Sequence, residues 1–97
     1  MAGFSDAFFM QKALEQAYLA YEKDEVPVGA ILVKNNEVLS AAHNLSITKN
    51  DPTAHAEILC LKEAVKVLNN YSLLGTTLYV TLEPCMMCAG AIIHARI

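Results

Sequence analysis

His55-Ala56-Glu57 lies about thirty residues ahead of Pro84-Cys85-Met86-Met87-Cys88. An imidazole and two thiols spaced in this way are ligands of the kind that bind zinc. Structural zinc takes four protein ligands, whereas catalytic zinc takes three and keeps a position for water. No fourth soft ligand stands at a suitable spacing in this chain. His55, Cys85 and Cys88 are therefore the candidate metal ligands, for one ion per chain, and Glu57 is the candidate catalytic proton carrier. An open coordination position beside a carboxylate can activate water, which points to hydrolytic chemistry. A Cys-x-x-Cys pair alone also fits a thioredoxin-like redox site, but the upstream His-x-Glu makes metal binding the stronger reading.

The spacings restrict which elements can carry these groups. Cys85 and Cys88, at i and i+3, share one face of a helix. In a first turn, unpaired backbone N–H groups would favour their thiolate forms. His55 and Glu57 are two residues apart, roughly 200° around a helix axis. In mid-helix they would diverge; at a helix end, where the backbone is changing direction, they can converge. A dication with two thiolates and a neutral imidazole has no net charge, so its water is acidified less than at an all-histidine site. Two helix N-termini, each worth roughly +0.5 charge, would compensate in part.

Other chemically capable residues have plainer roles. Cys60, between Leu59 and Leu61, reads as packed core, and His94 as a helix C-terminal residue. His43 ends a strand near the site, where it could line the site or face solvent. Glu83 is catalytic by type but better suits a strand-to-helix corner, and Met86 and Met87 suit a core or an interface.

The elements follow from periodicity and punctuation. Ser5 or Asp6 caps a first helix running to about Lys23, with Phe9, Ala13, Ala17 and Ala20 on one stripe. Val28–Val33 reads as a buried strand, Asn35-Asn36 as a tight turn and Glu37–Ala42 as a returning strand. Asp51-Pro52-Thr53 opens a second helix carrying His55 and Glu57, with Ile58, Leu61, Val65 and Leu68 as its apolar face. Asn69-Asn70 closes it. Thr76–Leu82 is a third strand, reached by a helical crossover and so expected parallel to its neighbour. Pro84 starts a third helix. The order is α-β-β-α-β-α, with no repeat and no low-complexity linker.

Composition bounds the rest. The 97 residues fit one domain, and the apolar fraction of 55 % exceeds the roughly 45–50 % usual for soluble domains. The excess implies apolar surface covered by a partner or by further chain. A sheet ending on Leu78-Tyr79-Val80 would leave an associating edge, so the domain reads as incomplete. No run approaches the roughly 18 apolar residues of a membrane span, and Met1–Asp6 shows no secretory signal. Three cysteines, two of them in the metal motif, fit a reducing compartment. The net charge of −3 and the scattered lysines show no basic patch for nucleic acid.

The motif pair resembles the zinc-dependent cytidine and nucleobase deaminase superfamily, whose chemistry is a known example of base deamination. The longer strings Glu25–Ala30, Asp51–Glu57 and Tyr79–Ala91 resemble, within it, the bacterial tRNA-specific adenosine deaminases. This resemblance covers nearly the whole chain. It implies a cytidine-deaminase-like three-layer α-β-α fold with an incomplete mixed sheet, residues 1–97 being a deaminase domain without its C-terminal strands and helix. It also implies zinc-dependent hydrolysis at C6 of a flipped-out adenine, converting the wobble adenosine of a tRNA anticodon stem-loop to inosine. Glu57 would shuttle protons and Asn44 would hydrogen-bond the base, with Val28 and Leu82 walling the pocket. A cytoplasmic homodimer without membrane contact is the expected assembly. Family members add basic residues beyond this region, so the 97-residue chain alone is expected to bind anticodon RNA poorly. The alternatives are a deaminase of a free base or nucleotide (guanine, cytosine or dCMP) and a catalytically idle zinc-binding module.

Overall fold

Strand β1 (Gly29–Lys34) sets the architecture because both of its faces are buried. Side chains alternate across a strand, so Ala30 and Leu32 face one way and Ile31 and Val33 the other. Ala30 and Leu32 pack with Ala56, Cys60, Leu61 and Ala64 of helix α2 (Ala56–Leu68). Ile31 and Val33 pack with Phe9 and Ala13 of helix α1 (Asp6–Glu22). The result is the expected three-layer α-β-α arrangement, with β2 (Glu37–His43), β3 (Thr77–Val80) and α3 (Met86–His94) completing the order α-β-β-α-β-α. The computed structural model describes residues 3–97; Met1 and Ala2, the start of the stretch read for a leader, lie outside them.

α1 begins where the sequence indicates. Ser5 is its N-cap and accepts the Phe8 N–H at 3.2 Å. Its buried stripe is Phe9, Ala13, Ala17 and Ala20. Small residues there let the helix lie close on β1 at Gly29. A Cβ on Gly29 would stand 2.5 Å from the Ala17 nitrogen and overlap the Ala13 carbonyl oxygen. The β1–β2 hairpin turns through Asn35 and Asn36, whose φ values of 50° and 64° suit a two-residue primed turn.

The sheet order is β2-β1-β3, and β3 is antiparallel to β1, with Ala30 opposite Val80 and Val33 opposite Thr77. The expected parallel neighbour and mixed sheet are thus corrected: both adjacent pairs are antiparallel. The crossover through α2 does bring β3 parallel to β2, but β1 lies between them. The strand is also shorter than the expected Thr76–Leu82.

The two later helices start downstream of their expected positions. Asp51 Oδ1 accepts the Thr53 N–H at 2.8 Å and the Thr53 hydroxyl at 2.7 Å, but the turn closes at Ala54, whose N–H bonds the Asp51 carbonyl at 3.1 Å, and the backbone is extended at His55 (ψ 151°). α2 therefore starts at Ala56, with His55 as its N-cap. Its buried residues are Ala56, Glu57, Cys60, Leu61 and Ala64. Of the expected stripe, Leu61 is buried, Val65 and Leu68 pack partly against the core, and Ile58 is half-buried. Asn69 ends the helix in the left-handed region at φ 52°, a common helix stop. α3 likewise begins at Met86 with Cys85 as N-cap, two residues after Pro84. Its outward surface is apolar, with Met86 93 % and Ile93 75 % exposed. No helix among the described residues is long and apolar enough to cross a membrane.

Candidate metal centre

Both helix starts point into one place. His55 and Cys85 are N-cap residues with extended backbones (ψ 151° and 175°), so their side chains turn toward the ends of α2 and α3. Cys88 is the third residue of α3, the position whose side chain ordinarily reaches back to the N-cap. His55 Nδ1 lies 3.7 Å from Cys85 Sγ and 3.5 Å from Cys88 Sγ. All three donor atoms fall within 4.8 Å of one another, and they form a metal-competent cluster among the described residues.

These distances test the fit of a zinc ion. Tetrahedral bonds of about 2.0–2.1 Å to nitrogen and 2.3 Å to sulfur place the donors about 3.6 Å apart. The two N···S separations bracket that value. Three protein donors of the right chemistry are present, leaving a fourth tetrahedral position without a protein ligand in the cluster.

The thiols differ in their electrostatics. The Cys88 N–H is the largest influence on Cys85 and, with the Met87 N–H, holds its pKa below the ordinary thiol value. Neither bond is close enough to count as a helix cap; the effect is that of nearby N–H dipoles. Cys88 is fully buried, and burial followed by the Glu57 charge pushes its thiol up to about 12. A dication between the two sulfurs would reverse that balance, because it favours both thiolates.

Glu57 is the second residue of α2 and is 4 % exposed. It lines a cavity of about 210 Å³ together with His55 and Cys85. Three residues expected there, Val28, Asn44 and Leu82, form its wall. Asn44 Oδ1 accepts the Ala56 N–H at 2.8 Å. Because an N–H can only donate, this bond fixes the amide orientation. The oxygen is committed to α2, and the NH2 group is left for a ligand.

Two wall residues were not expected. Glu83 occupies the predicted corner but also lines the cavity, and Val26 lines it beside Val28. Val26 is two residues before Val28, so i, i+2 alternation carried one step upstream would have found it. His43 does not join the site. Its Nδ1 pairs with Gln16 Oε1 at 2.9 Å and its Nε2 with Lys23 Nζ at 3.0 Å. Burial and then Lys23 hold its pKa below the ordinary imidazole value. Cys60 is core, as expected, with its thiol pushed up to about 11 chiefly by burial.

Residues 4–97 match the model of the cytidine and deoxycytidylate deaminase zinc-binding region. The chain belongs to that family. The chain is similar to the tRNA-specific adenosine deaminase of Buchnera aphidicola subsp. Schizaphis graminum, 54 % identical over 92 residues, or 95 % of this chain and 61 % of that protein. The Bacillus subtilis tRNA-specific adenosine deaminase is 51 % identical over 92 residues, covering 95 % of this chain and 57 % of that protein. Among solved structures, a chain from a study of A-to-I editing by tRNA:A34 deaminases superposes with TM-score 0.91 at 49 % identity, covering 94 % of this chain and 66 % of that one. A Bacillus subtilis guanine deaminase superposes with TM-score 0.93 at 38 % identity, covering 96 % of this chain and 60 % of that one. The chain thus spans about three fifths of the length of the curated relatives it matches.

Proposed function

We propose that residues 1–97 form one zinc-dependent deaminase domain that hydrolyses adenosine to inosine at the wobble position of a tRNA anticodon. The observation that carries this is the convergence of His55, Cys85 and Cys88 beside the Glu57 carboxylate in a cavity walled by Asn44. That cavity, about 210 Å³, is smaller than the roughly 300–1,000 Å³ of drug-sized sites. It suits a single flipped-out base more than a whole nucleotide. The greater sequence likeness to the tRNA adenosine deaminases than to the guanine deaminase favours adenine as that base.

His55 Nδ1 and the Cys85 and Cys88 sulfurs would hold the zinc, which supplies acidification of a water for attack on a ring carbon. Glu57 takes the proton from that water and returns it to the departing amine as general acid. Asn44 donates its free NH2 to an acceptor atom on the base, so it orients purines through an acceptor and not through a donor. Val28 and Leu82 wall the pocket with apolar surface and limit water around the ring. Water and adenosine enter; inosine and ammonia leave.

The same reading gives a homodimer, supported by the exposed Met86 and Ile93 surface of α3, and a cytoplasmic setting where anticodon stem-loops are available. A free-base deaminase is the second reading, favoured by the TM-score of 0.93 to the guanine deaminase. Measuring inosine in an anticodon stem-loop RNA against ammonia release from free guanine and cytosine separates the two. Inosine formation lost in Glu57→Gln supports the proposal; turnover of guanine alone transfers the assignment; zinc binding without turnover of any substrate, at RNA concentrations that saturate the chain, leaves an idle metal module.

A further inference from the structure

The segment 45–54 joins two groups of the site, Asn44 at one end and His55 at the other. It is folded mostly on itself. Leu45 N–H bonds the Ala54 carbonyl at 3.0 Å, Lys49 N–H the Leu45 carbonyl at 2.8 Å, and Asp51 N–H the Ser46 carbonyl at 2.9 Å. Among the described residues, its hydrogen bonds to the rest of the chain converge on one side chain, apart from the bond between the neighbouring His55 N–H and Thr53 carbonyl. That side chain is Glu25. Its Oε1 accepts the Ile47 N–H at 3.1 Å, and its Oε2 accepts both the Thr48 N–H and the Thr48 hydroxyl at 2.6 Å.

Glu25 is 5 % exposed, and a carboxylate so enclosed is costly unless its oxygens are satisfied. Burial by itself would raise its pKa, but the Thr48 hydroxyl and the Thr48 and Ile47 N–H groups outweigh that and hold it below the ordinary carboxylate range. Glu25 also adjoins Val26, which lines the cavity with Val28, and the Val28 carbonyl accepts the Asn44 N–H at 3.2 Å. The carboxylate therefore ties the 45–54 loop to the segment that runs into the pocket wall through Val26 and Val28.

We propose that Glu25 is a positioning residue of the pocket: by holding Ile47 and Thr48 it fixes the loop between Asn44 and His55, and so fixes the Asn44 amide against Ala56. This rests on the proposed deaminase reading only for the purpose the pocket serves; the tether itself is independent of the reaction. His55 is also anchored by the start of α2 and by any metal it binds. Loosening the loop should therefore weaken nucleobase binding more than zinc binding.

The test is amide hydrogen exchange on the zinc-loaded chain and its Glu25→Gln variant, with purine riboside titrated into each. Gln replaces one acceptor oxygen by an NH2 group facing N–H donors, so hydrogen bonds to a charged group are lost. The expected result is exchange about tenfold or more faster at Ile47, Thr48 and Ala56, with the Leu32 amide of β1 unchanged. Purine riboside affinity should fall about tenfold while zinc affinity stays within about threefold. Thr48→Val, which removes only the hydroxyl, should give a smaller change of the same pattern and serves if Glu25→Gln does not fold. Unchanged protection at Ile47 and Thr48 overturns the proposal, as does faster exchange there with Ala56 unaffected. A uniform rise that includes Leu32 overturns it too, because Glu25 would then act on the whole fold. If the wild-type chain takes no purine riboside, the deaminase reading is what fails, and the exchange pattern still decides the tether.

Discussion

Zinc binding by this chain should expel protons, and the site determines how many. In the metal-free fold the Cys88 thiol is pushed up to about 12, first by burial and then by the Glu57 charge. At neutral pH it is therefore fully protonated. Cys85 is held below the ordinary thiol value by the Cys88 N–H, so it carries somewhere between none and one proton. Zinc takes both sulfurs as thiolates. The two thiols together should thus release between one and two protons per ion at pH 7. The metal-bound state holds fewer protons, so affinity rises with pH, about tenfold per pH unit for each proton released. From pH 6 to pH 8 the apparent Kd should fall by at least about 100-fold. Competition with a chromophoric chelator measures that slope, and calorimetry in two buffers of different ionisation enthalpy counts the protons. A Kd independent of pH, or a proton count near zero, would refute the assignment of Cys85 and Cys88 as thiolate ligands.

Three further outcomes can be checked with single substitutions. Glu57→Gln should lower turnover by about 10²–10⁴-fold while bound zinc, measured by metal analysis, stays at one per chain; loss of the metal would make Glu57 a ligand instead. Asn44→Ala strands the buried Ala56 N–H and should cost about 1–3 kcal/mol in urea unfolding. Asn44→Asp keeps an acceptor there, so it should stay closer to the wild-type stability yet lose nucleobase affinity. Gly29→Ala forces α1 away from β1 and should cost about 1–3 kcal/mol. Gly90→Ala, where a Cβ meets nothing within 4 Å, should instead stabilise by about 0.5–1 kcal/mol. Thermal unfolding that shifts both glycine variants alike would contradict the packing described.

Much of this was legible because the sequence signals were local. The α1 stripe of Phe9, Ala13, Ala17 and Ala20 is a helix period read directly, and all four are buried. Asn35-Asn36 marks the hairpin because asparagine tolerates the left-handed backbone both positions adopt. The demand that His55 and Glu57 converge at a helix end was sound, but Asp51-Pro52-Thr53 misled as to where that end lies. Asp51 bonds Thr53 rather than the helix, and the true cap is the candidate ligand His55 itself. Pro84 similarly marks the approach to α3 and not its first residue. Strand direction was not legible: β2 and β3 are parallel, yet which strand stands between them depends on how β1 buries both faces. Glu25 gave no signal either. Its partners Ile47 and Thr48 are more than twenty residues away, and nothing in their types announces the contact.

α3 has one fully enclosed side chain among its residues, Cys88, and that side chain is also a sulfur of the metal cluster. An ion held there would therefore add to the docking of the helix, which also rests on Ala91 and Ile92 against the core and on the Leu73 N–H to the Ala95 carbonyl at 2.7 Å. Chelation should loosen the start of α3 first and make the linker after β3 more open to proteases. A metal bound here would act as a clasp on the fold as much as a reagent in the pocket.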